Sequence, residues 1–449
     1  MAGSLRLAGG VTNARFPDVP NILLRNATLP RAGLGVLLPG TEPLVAADLL
    51  IVDGRIGAVV PRGGVKLPSD AAEYDCRDGL VLPAFADIHT HLDKGQIWPR
   101  QANPDGTFMG ALDAVAADRE AHWSADDIER RMEFSLRAAF AHGTAAIRTH
   151  LDSWPAGSAW DVFDAVRERW AGRIDLQAVA LCGPDVMLDP LAYRAVAKRA
   201  KASGGSLGGA IAVHPDVRQA LRQAVEIAGE LGLDLDLHVD ETLAPESSAL
   251  RHLADAVLEL GFAGKVLAGH CCSLSVQDEA TAAATIARVA EAKIAVVSLP
   301  MCNLYLQHRR NEPVRLTPRY RGVTLVHEFK AAGVKLALAS DNTRDPFYAY
   351  GDMDGLEVFR EGVRIAHFDH PQADAWSWLG AVGNEAAAIA GFAHKGQIEL
   401  GAPADLVLVG ARTWTELLSR PQADRIVLRQ GRAIDTSLPD YRELDDLMR

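Results

Sequence analysis

Eight short apolar runs of β type, separated by helical stretches, constrain this chain more than any other feature. The runs are Leu82–His91, Ala145–Asp152, Ile174–Leu181, Gly208–Val213, Leu233–Asp240, Lys265–His270, Lys293–Leu299 and Lys335–Asp341. Between them, segments such as Ser124–His142, Asp216–Leu231 and Ser275–Ala292 are rich in Ala, Leu, Glu and Arg, with apolar residues near i, i+3, i+4. Ser124, with Asp127 three residues on, resembles a capping box and marks one helix start. Eight strands alternating with helices is the count of a (β/α)8 barrel, an α/β fold. A doubly wound open sheet would more usually show about six strands and a Gly-rich first turn.

The two ends of the chain differ from this pattern. Up to about Leu80 the sequence reads as short strands and turns: Asn21 to Leu29, then Ala46 to Val60 bent at Asp53-Gly54, a hairpin signal. Gly396 to Glu399, Ala404 to Val409 and Ile426 to Gly431 have the same character. The expected organisation is therefore a small β-sandwich built from both ends, residues 1–82 and 396–449, around a TIM barrel over residues 83–395.

A chain of 449 residues is long enough for such a barrel with a satellite domain. The net charge of -12 argues against nucleic acid or an anionic membrane surface as the main partner. Five cysteines, Cys76, Cys182, Cys271, Cys272 and Cys302, form no Cys-x-x-Cys pair and fit free thiols in a reducing compartment. The start of the sequence has no continuous apolar h-region, and no segment reaches the roughly 18 apolar residues of a membrane span. The expectation is a cytoplasmic homo-oligomer.

In a (β/α)8 barrel the active site lies where strands end at their C-terminal side. Here those ends are polar strand after strand: His89 and His91, then Arg148-Thr149-His150-Leu151-Asp152, His238-Val239-Asp240-Glu241, Gly269-His270 and Ser340-Asp341-Asn342. His89 and His91 are spaced i, i+2, so in a strand they share a face and can meet one metal ion. A single such pair is also what a strand leaving for solvent would show. Five polar ends converging on one rim are hard to explain without a site, because an unpaired buried charge costs several kcal/mol.

These motifs, His-Thr-His-Leu-Asp-Lys, His-Val-Asp-Glu, Gly-His and Ser-Asp-Asn-Thr-Arg-Asp-Pro-Phe in this order, resemble the amidohydrolase superfamily. More closely they resemble its cytosine deaminase branch, which includes N-isopropylammelide amidohydrolase. Pro300-x-x-Asn303-x-x-x-Gln307-x-Arg309 and Arg321-Gly322-Val323 match further segments of that branch. The resemblance covers roughly residues 20 to 435. It implies one Fe²⁺ or Zn²⁺ held by His89, His91, His238 and Asp341, which lowers the pKa of a bound water toward neutrality. It also implies that Asp341 accepts the water's proton, that His270 orients the nucleophile, and that Glu241 shuttles a proton to the ring nitrogen and the departing amine. Binuclear relatives carry a carboxylated Lys or a Glu after strand four, where this chain has Ile211-Ala212-Val213-His214, so a single ion is expected.

Departures from the branch bear on the substrate. Gly183 stands where cytosine deaminases carry a glutamine that grips the pyrimidine's amide edge, and Asn342 replaces a second aspartate. Lys94 resembles a lysine of the ammelide hydrolase and would favour an oxo or partly anionic edge; the alternative is a lysine snorkelling at the barrel mouth. Trp98, Trp154 and Phe347 are candidates to wall a flat ring. The expected function is release of ammonia or an amine from an amino-substituted N-heterocycle, pyrimidine- or triazine-like. Free cytosine is expected to be a poor substrate. Hydrolysis of an amide or cyclic amide is the alternative on this scaffold, and a non-catalytic scaffold protein the alternative outside it. The zinc deaminases that act on nucleic-acid bases need His-x-Glu with Pro-Cys-x-x-Cys, which this chain lacks.

Overall fold

A computed structural model describes residues 16–153, 159–309, 316–369 and 374–449; Trp154 lies outside them. The chain divides into two compact units, Met1–Ala84 with Gly396–Ser437, and Phe85–Lys395 with Leu438–Arg449. Among the described residues no helix is long and apolar enough to cross a membrane.

The larger unit is built on eight parallel strands: β1 (Phe85–Thr90), β2 (Thr144–Asp152), β3 (Asp175–Leu181), β4 (Leu207–Ile211), β5 (Leu235–Val239), β6 (Val266–His270), β7 (Ala295–Ser298) and β8 (Leu336–Leu338). β1 to β3 form one parallel run and β4 to β8 another. Isolated parallel bridges join the runs at both seams, Val179 to Ser206 and Thr90 to Asp341. Backbone hydrogen bonds fix each seam: Ala180 N donates to Ser206 O at 3.0 Å, and Asp341 N to His89 O at 2.9 Å. The order is thus circular, as in the expected barrel. Small side chains (Ala86, Ala146, Ala295, Ala337, Ala339) let the Ala-rich helix Asn384–Ala390 pack closely on Ile88, Leu267 and Val297.

Helix ends follow local chemistry. The helix Ala125–His142 starts where Ser124 Oγ accepts from Asp127 N, and it stops at Gly143 in the left-handed region. The stretch expected as one helix from Ser275 is instead a 3-10 turn, Cys272–Val276, followed by a helix over Glu279–Glu291. Asp278 caps that helix by accepting from Thr281 N, which moves the start beyond Ser275. Residues 438–449, expected with the terminal sandwich, belong to the barrel unit: Arg130 donates to both Asp446 carboxylate oxygens at 2.7 Å, and Arg100 to Leu447 O at 3.0 Å.

The smaller unit has two four-stranded sheets. One orders Arg55–Pro61, Leu44–Val52, Ile22–Pro30 and Ala72–Asp75; the other orders Arg432–Ala433, Ile426–Arg429, Leu406–Leu408 and Val81–Pro83. Both contribute to one apolar core, with Ile22, Leu24, Leu49 and Ile51 meeting Val81, Leu406 and Leu428. The hairpin turns at Asp53 and Gly54, both with positive φ (47° and 77°), as a two-residue primed turn requires. The first predicted run is therefore split. Val81–Pro83 pairs antiparallel with Leu406–Leu408, and the barrel begins at Phe85.

Inside the barrel unit a buried ion pair connects three strands. Arg148 on β2 donates to Asp236 Oδ2 on β5 (3.0 Å), to Gln177 Oε1 on β3 (2.9 Å) and to Ala390 O (2.8 Å). Burial nevertheless pushes Asp236 up to about 6, Arg148 offsetting only part of that rise. Arg148→Met should therefore destabilise the fold by about 3 kcal/mol in chemical denaturation, because it strands Asp236 without its cation. Arg148→Met with Asp236→Leu should recover much of that loss. A double variant no more stable than the single one would show that the pair's geometry, rather than the orphaned charge, matters.

Candidate active site and metal centre

The expected donors converge. His89 ends β1, His91 lies just beyond it, His238 is on β5, and Asp341 follows β8. His238 Nε2 lies 3.0 Å from His89 Nε2 and 3.3 Å from His91 Nε2; Asp341 Oδ1 lies 3.6 and 3.2 Å from the same two nitrogens. A tetrahedral site with bonds of about 2.0–2.2 Å has donor–donor edges of roughly 3.3–3.6 Å. The four separations, 3.0 to 3.6 Å, lie at or a little below those edges.

Charge makes the same point. Burial holds His89, His91 and His238 well below the usual histidine range, with neighbouring histidines or Lys94 adding to it, so each ring is a neutral ligand. Burial pushes Asp341 up to about 8, the Cys302 thiol offsetting part of the rise. Neither Asp341 oxygen has a conventional hydrogen-bond donor, and Nδ1 of His89 and of His238 are also without partners. A buried carboxylate among neutral imidazoles is a cage for a cation, and the donor set fits one divalent ion.

Glu241 and His270 lie beside this cage. Glu241 Oε1 is 3.4 Å from His270 Nδ1. Burial and the Asp341 carboxylate push Glu241 well above the usual carboxyl range. Burial takes His270 down to about 3, so it is neutral. Asp240, His270 and Asp341 have positive φ (54°, 69° and 65°), a rare conformation for non-glycine residues that re-aims the chain at three strand ends. Gly269 lets β6 approach β1, since a Cβ there would stand 2.9 Å from His89 Cε1.

The candidate substrate residues fare differently. Lys94 is buried rather than snorkelling: its Nζ donates to Asp152 Oδ1 at 2.6 Å, stands 3.7 Å from Asp93 Oδ1, and lies 3.4 Å from His91 Nδ1. Burial works against its charge, yet Asp152 and Asp93 hold its pKa above the ordinary value. Asn342 donates to Asp345 Oδ2 at 2.6 Å, so its amide is committed within the loop. Gly183 is exposed at the end of β3, and nothing lies within 4 Å of where a Cβ would point. Phe347 packs edge-on against Phe108 at 5.6 Å, and Trp98, half-buried, donates its backbone N–H to Arg344 O.

Two residues of the cluster were not among the candidates. His150 is fully buried, its ring 4.2 Å from His89 and 4.5 Å from His238, with neither nitrogen hydrogen-bonded. Its signal was present in the polar end of β2. Asn303 bridges His270 and Glu241, at 3.0 and 3.5 Å. In the sequence it was only part of a motif.

The amidohydrolase family profile matches residues 186–434. The chain is 55% identical over 435 residues to a pterin deaminase of Rhizobium rhizogenes (strain K84), covering 96% of this chain and 98% of that protein. Among solved structures it is similar to 5-methylcytosine deaminase from Klebsiella pneumoniae liganded with 5-fluorocytosine, with TM-score 0.78 and 25% identity over 94% of this chain and 98% of that one. It is also similar to N-isopropylammelide isopropylaminohydrolase from Burkholderia multivorans, with TM-score 0.74 and 28% identity over 94% and 100%.

The close approach at Gly269 gives a test of the cage. Gly269→Ala must displace the His89 ring, and affinity for a divalent ion should fall about 10- to 100-fold. Titration of the metal-free protein with Co²⁺, followed by visible absorption, measures this directly. Unchanged affinity in a folded variant would take His89 out of the donor set.

Proposed function

The chain belongs to the amidohydrolase family, and from that premise we propose that it is a metal-dependent aminohydrolase that removes the exocyclic amine of a pterin-type ring as ammonia. One observation favours deamination over amide hydrolysis. Glu241, its carboxyl pKa raised by burial, stands beside the cage with Oε1 3.4 Å from Nδ1 of His270. A cyclic amidine must gain a proton on its ring nitrogen before its amine can leave, and Glu241 is a carrier for that proton. The pterin ring is supported by the identity to the Rhizobium protein along nearly the whole chain.

His89, His91, His238 and Asp341 would hold one Zn²⁺ or Fe²⁺. When bound, the ion acidifies a water, so that a nucleophile is available near neutral pH. Asp341 would serve as the acceptor for a proton shed by the attacking water. His270 orients the attacking oxygen against the amine-bearing carbon. Glu241 gives its proton to the ring nitrogen; of the two protons that the adding water sheds, one by way of Asp341, one restores Glu241 and the other completes the nitrogen that leaves as ammonia, and the ring keeps the water's oxygen as an oxo group.

The bicyclic ring needs more room than cytosine, and Gly183 carries no side chain to take it up. Without the glutamine of the cytosine deaminases, a pyrimidine's amide edge has no partner at this position. Lys94, neutralised by Asp152, and Asn342, turned to Asp345, would shape the pocket wall rather than read the ring. Phe347 and Trp98 would flank the ring. A cytoplasmic homo-oligomer acting on a free small molecule completes the reading; the net charge of -12 disfavours nucleic acid as a partner.

Two measurements test it. In Glu241→Gln, which keeps the shape but carries no proton, turnover should fall by a factor of about 10² or more. Elemental analysis should still find close to one ion per chain. Loss of the ion in parallel would make Glu241 structural, and two tight ions would overturn the single-ion assignment. Across pterin, isocytosine, cytosine and N-isopropylammelide, kcat/KM for ammonia or amine release should be highest with pterin. A lost hydrogen bond to a buried polar edge should place cytosine roughly 5- to 150-fold lower. Cytosine as the best substrate would refute the pocket reading.

A further inference from the structure

Glu241 and His270 each carry a role in the proposed chemistry, but neither position explains how the two are kept in register. Asn303 does. It lies on the short helix Pro300–Leu306 that follows β7, its side chain almost wholly buried. Its amide nitrogen Nδ2 stands 3.0 Å from His270 Nδ1 and 3.5 Å from Glu241 Oε1, while those two atoms are 3.4 Å apart. The three side chains form a closed triangle.

The helix itself is pinned. Asn303 N donates to Leu299 O at 3.0 Å, and Gln307, one turn on, donates its backbone N–H to Asn303 O at 2.9 Å. Gln307 Nε2 lies 3.5 Å from Glu241 O, so the backbone of Glu241 is held from the same helix as its carboxyl. Gly322, with φ +71°, makes room for this: a Cβ there would stand 2.5 Å from Gln307 Cγ.

The chemistry of the contact decides a tautomer. A neutral imidazole carries one N–H, and the hydrogen bond made by one nitrogen fixes the state of the other. The NH₂ end of Asn303 can only donate. His270 Nδ1 therefore accepts, and the proton resides on Nε2. Nε2 is buried and has no hydrogen-bond partner within the protein. The ring lies 5.0 and 5.2 Å from those of His238 and His89, beside the cage. An N–H in that position stabilises negative charge growing on the attacking oxygen; a lone pair would oppose it.

We propose that Asn303 is a positioning residue: by donating to His270 Nδ1 it fixes His270 as a donor toward the reacting centre and holds Glu241 alongside. The proposal rests on the aminohydrolase reading, because only there do His270 and Glu241 share one reaction.

The test uses the zinc-loaded full-length protein and its Asn303→Ala and Asn303→Asp variants. In Asn303→Ala, kcat should fall about 10- to 100-fold, with KM changed by less than about threefold and zinc content unchanged. Asn303→Asp offers only acceptors, so it should draw the proton to Nδ1 and lose more activity than Asn303→Ala. The ¹⁵N spectrum of the His270 ring should show protonation at Nε2 in the wild type and at Nδ1 in Asn303→Asp. A wild-type ring protonated at Nδ1, an unchanged kcat in Asn303→Ala, or a loss confined to KM or to zinc content would each overturn the proposal. The ring spectrum needs no substrate. A wild-type protein that deaminates nothing in the panel would therefore sink the aminohydrolase reading, and the tautomer would still be decided.

Discussion

Closure of the barrel between its first and last strands is the contact on which the rest depends. Asp341 N donates to His89 O, and the side chains of the same two residues meet at the cage. One backbone bridge thus completes the circle of strands and brings together two cage residues 252 positions apart in sequence. His238 joins from β5, and its register against β4 and β6 is fixed by continuous parallel pairing. The donor separations are consequences of strand order rather than of flexible loops, which is how a barrel holds a site to fractions of an ångström.

This arrangement is costly, and the cost is visible around the site. Asp236, Asp87 and Asp345 are buried carboxylates, each pushed by desolvation to about 6. Each is compensated from a different direction: Asp236 by Arg148, Asp87 by Ser340 Oγ at 2.5 Å, and Asp345 by the Asn342 amide and the backbone N–H groups of Phe347 and Tyr348. Left-handed backbone at Asp240, His270 and Asp341 adds conformational strain on the order of 1–3 kcal/mol per residue. Strain and buried charge collect at the same strand ends, where the surrounding sheet over-determines them.

Much of this was legible in the sequence. All eight barrel strands lie within or within one residue of runs picked out by apolar continuity, and the residues of the cage, with Glu241 and His270 beside it, stood out because a polar strand end breaks such a run. Legibility failed where the answer depends on a partner far along the chain. Val81–Pro83 is indistinguishable by composition from the strand that follows it, yet it pairs with Leu406–Leu408. Lys94 read as a free cation because nothing local reveals Asp152, 58 residues on, as its partner. Asn303 could not be assigned, because its meaning lies in two acceptors contributed by other strands.

The fate of Lys94 bears on how the pocket selects its ring. A cation free at the site would draw an anionic or oxo-rich edge toward it by Coulomb attraction. Here Asp152 and Asp93 surround the ammonium, and Arg119 at 2.5 Å takes the second oxygen of Asp152. The local charges are matched within the protein, so little field is left to orient a substrate from this side. Asn342 is likewise turned inward to Asp345. Two of the polar groups that sequence comparison would assign to ring recognition are therefore spent on the scaffold. On the proposed reading, selection would fall to Glu241 and His270 at the reacting edge. A pocket so arranged would discriminate by the amidine it meets, and less by the ring's charge.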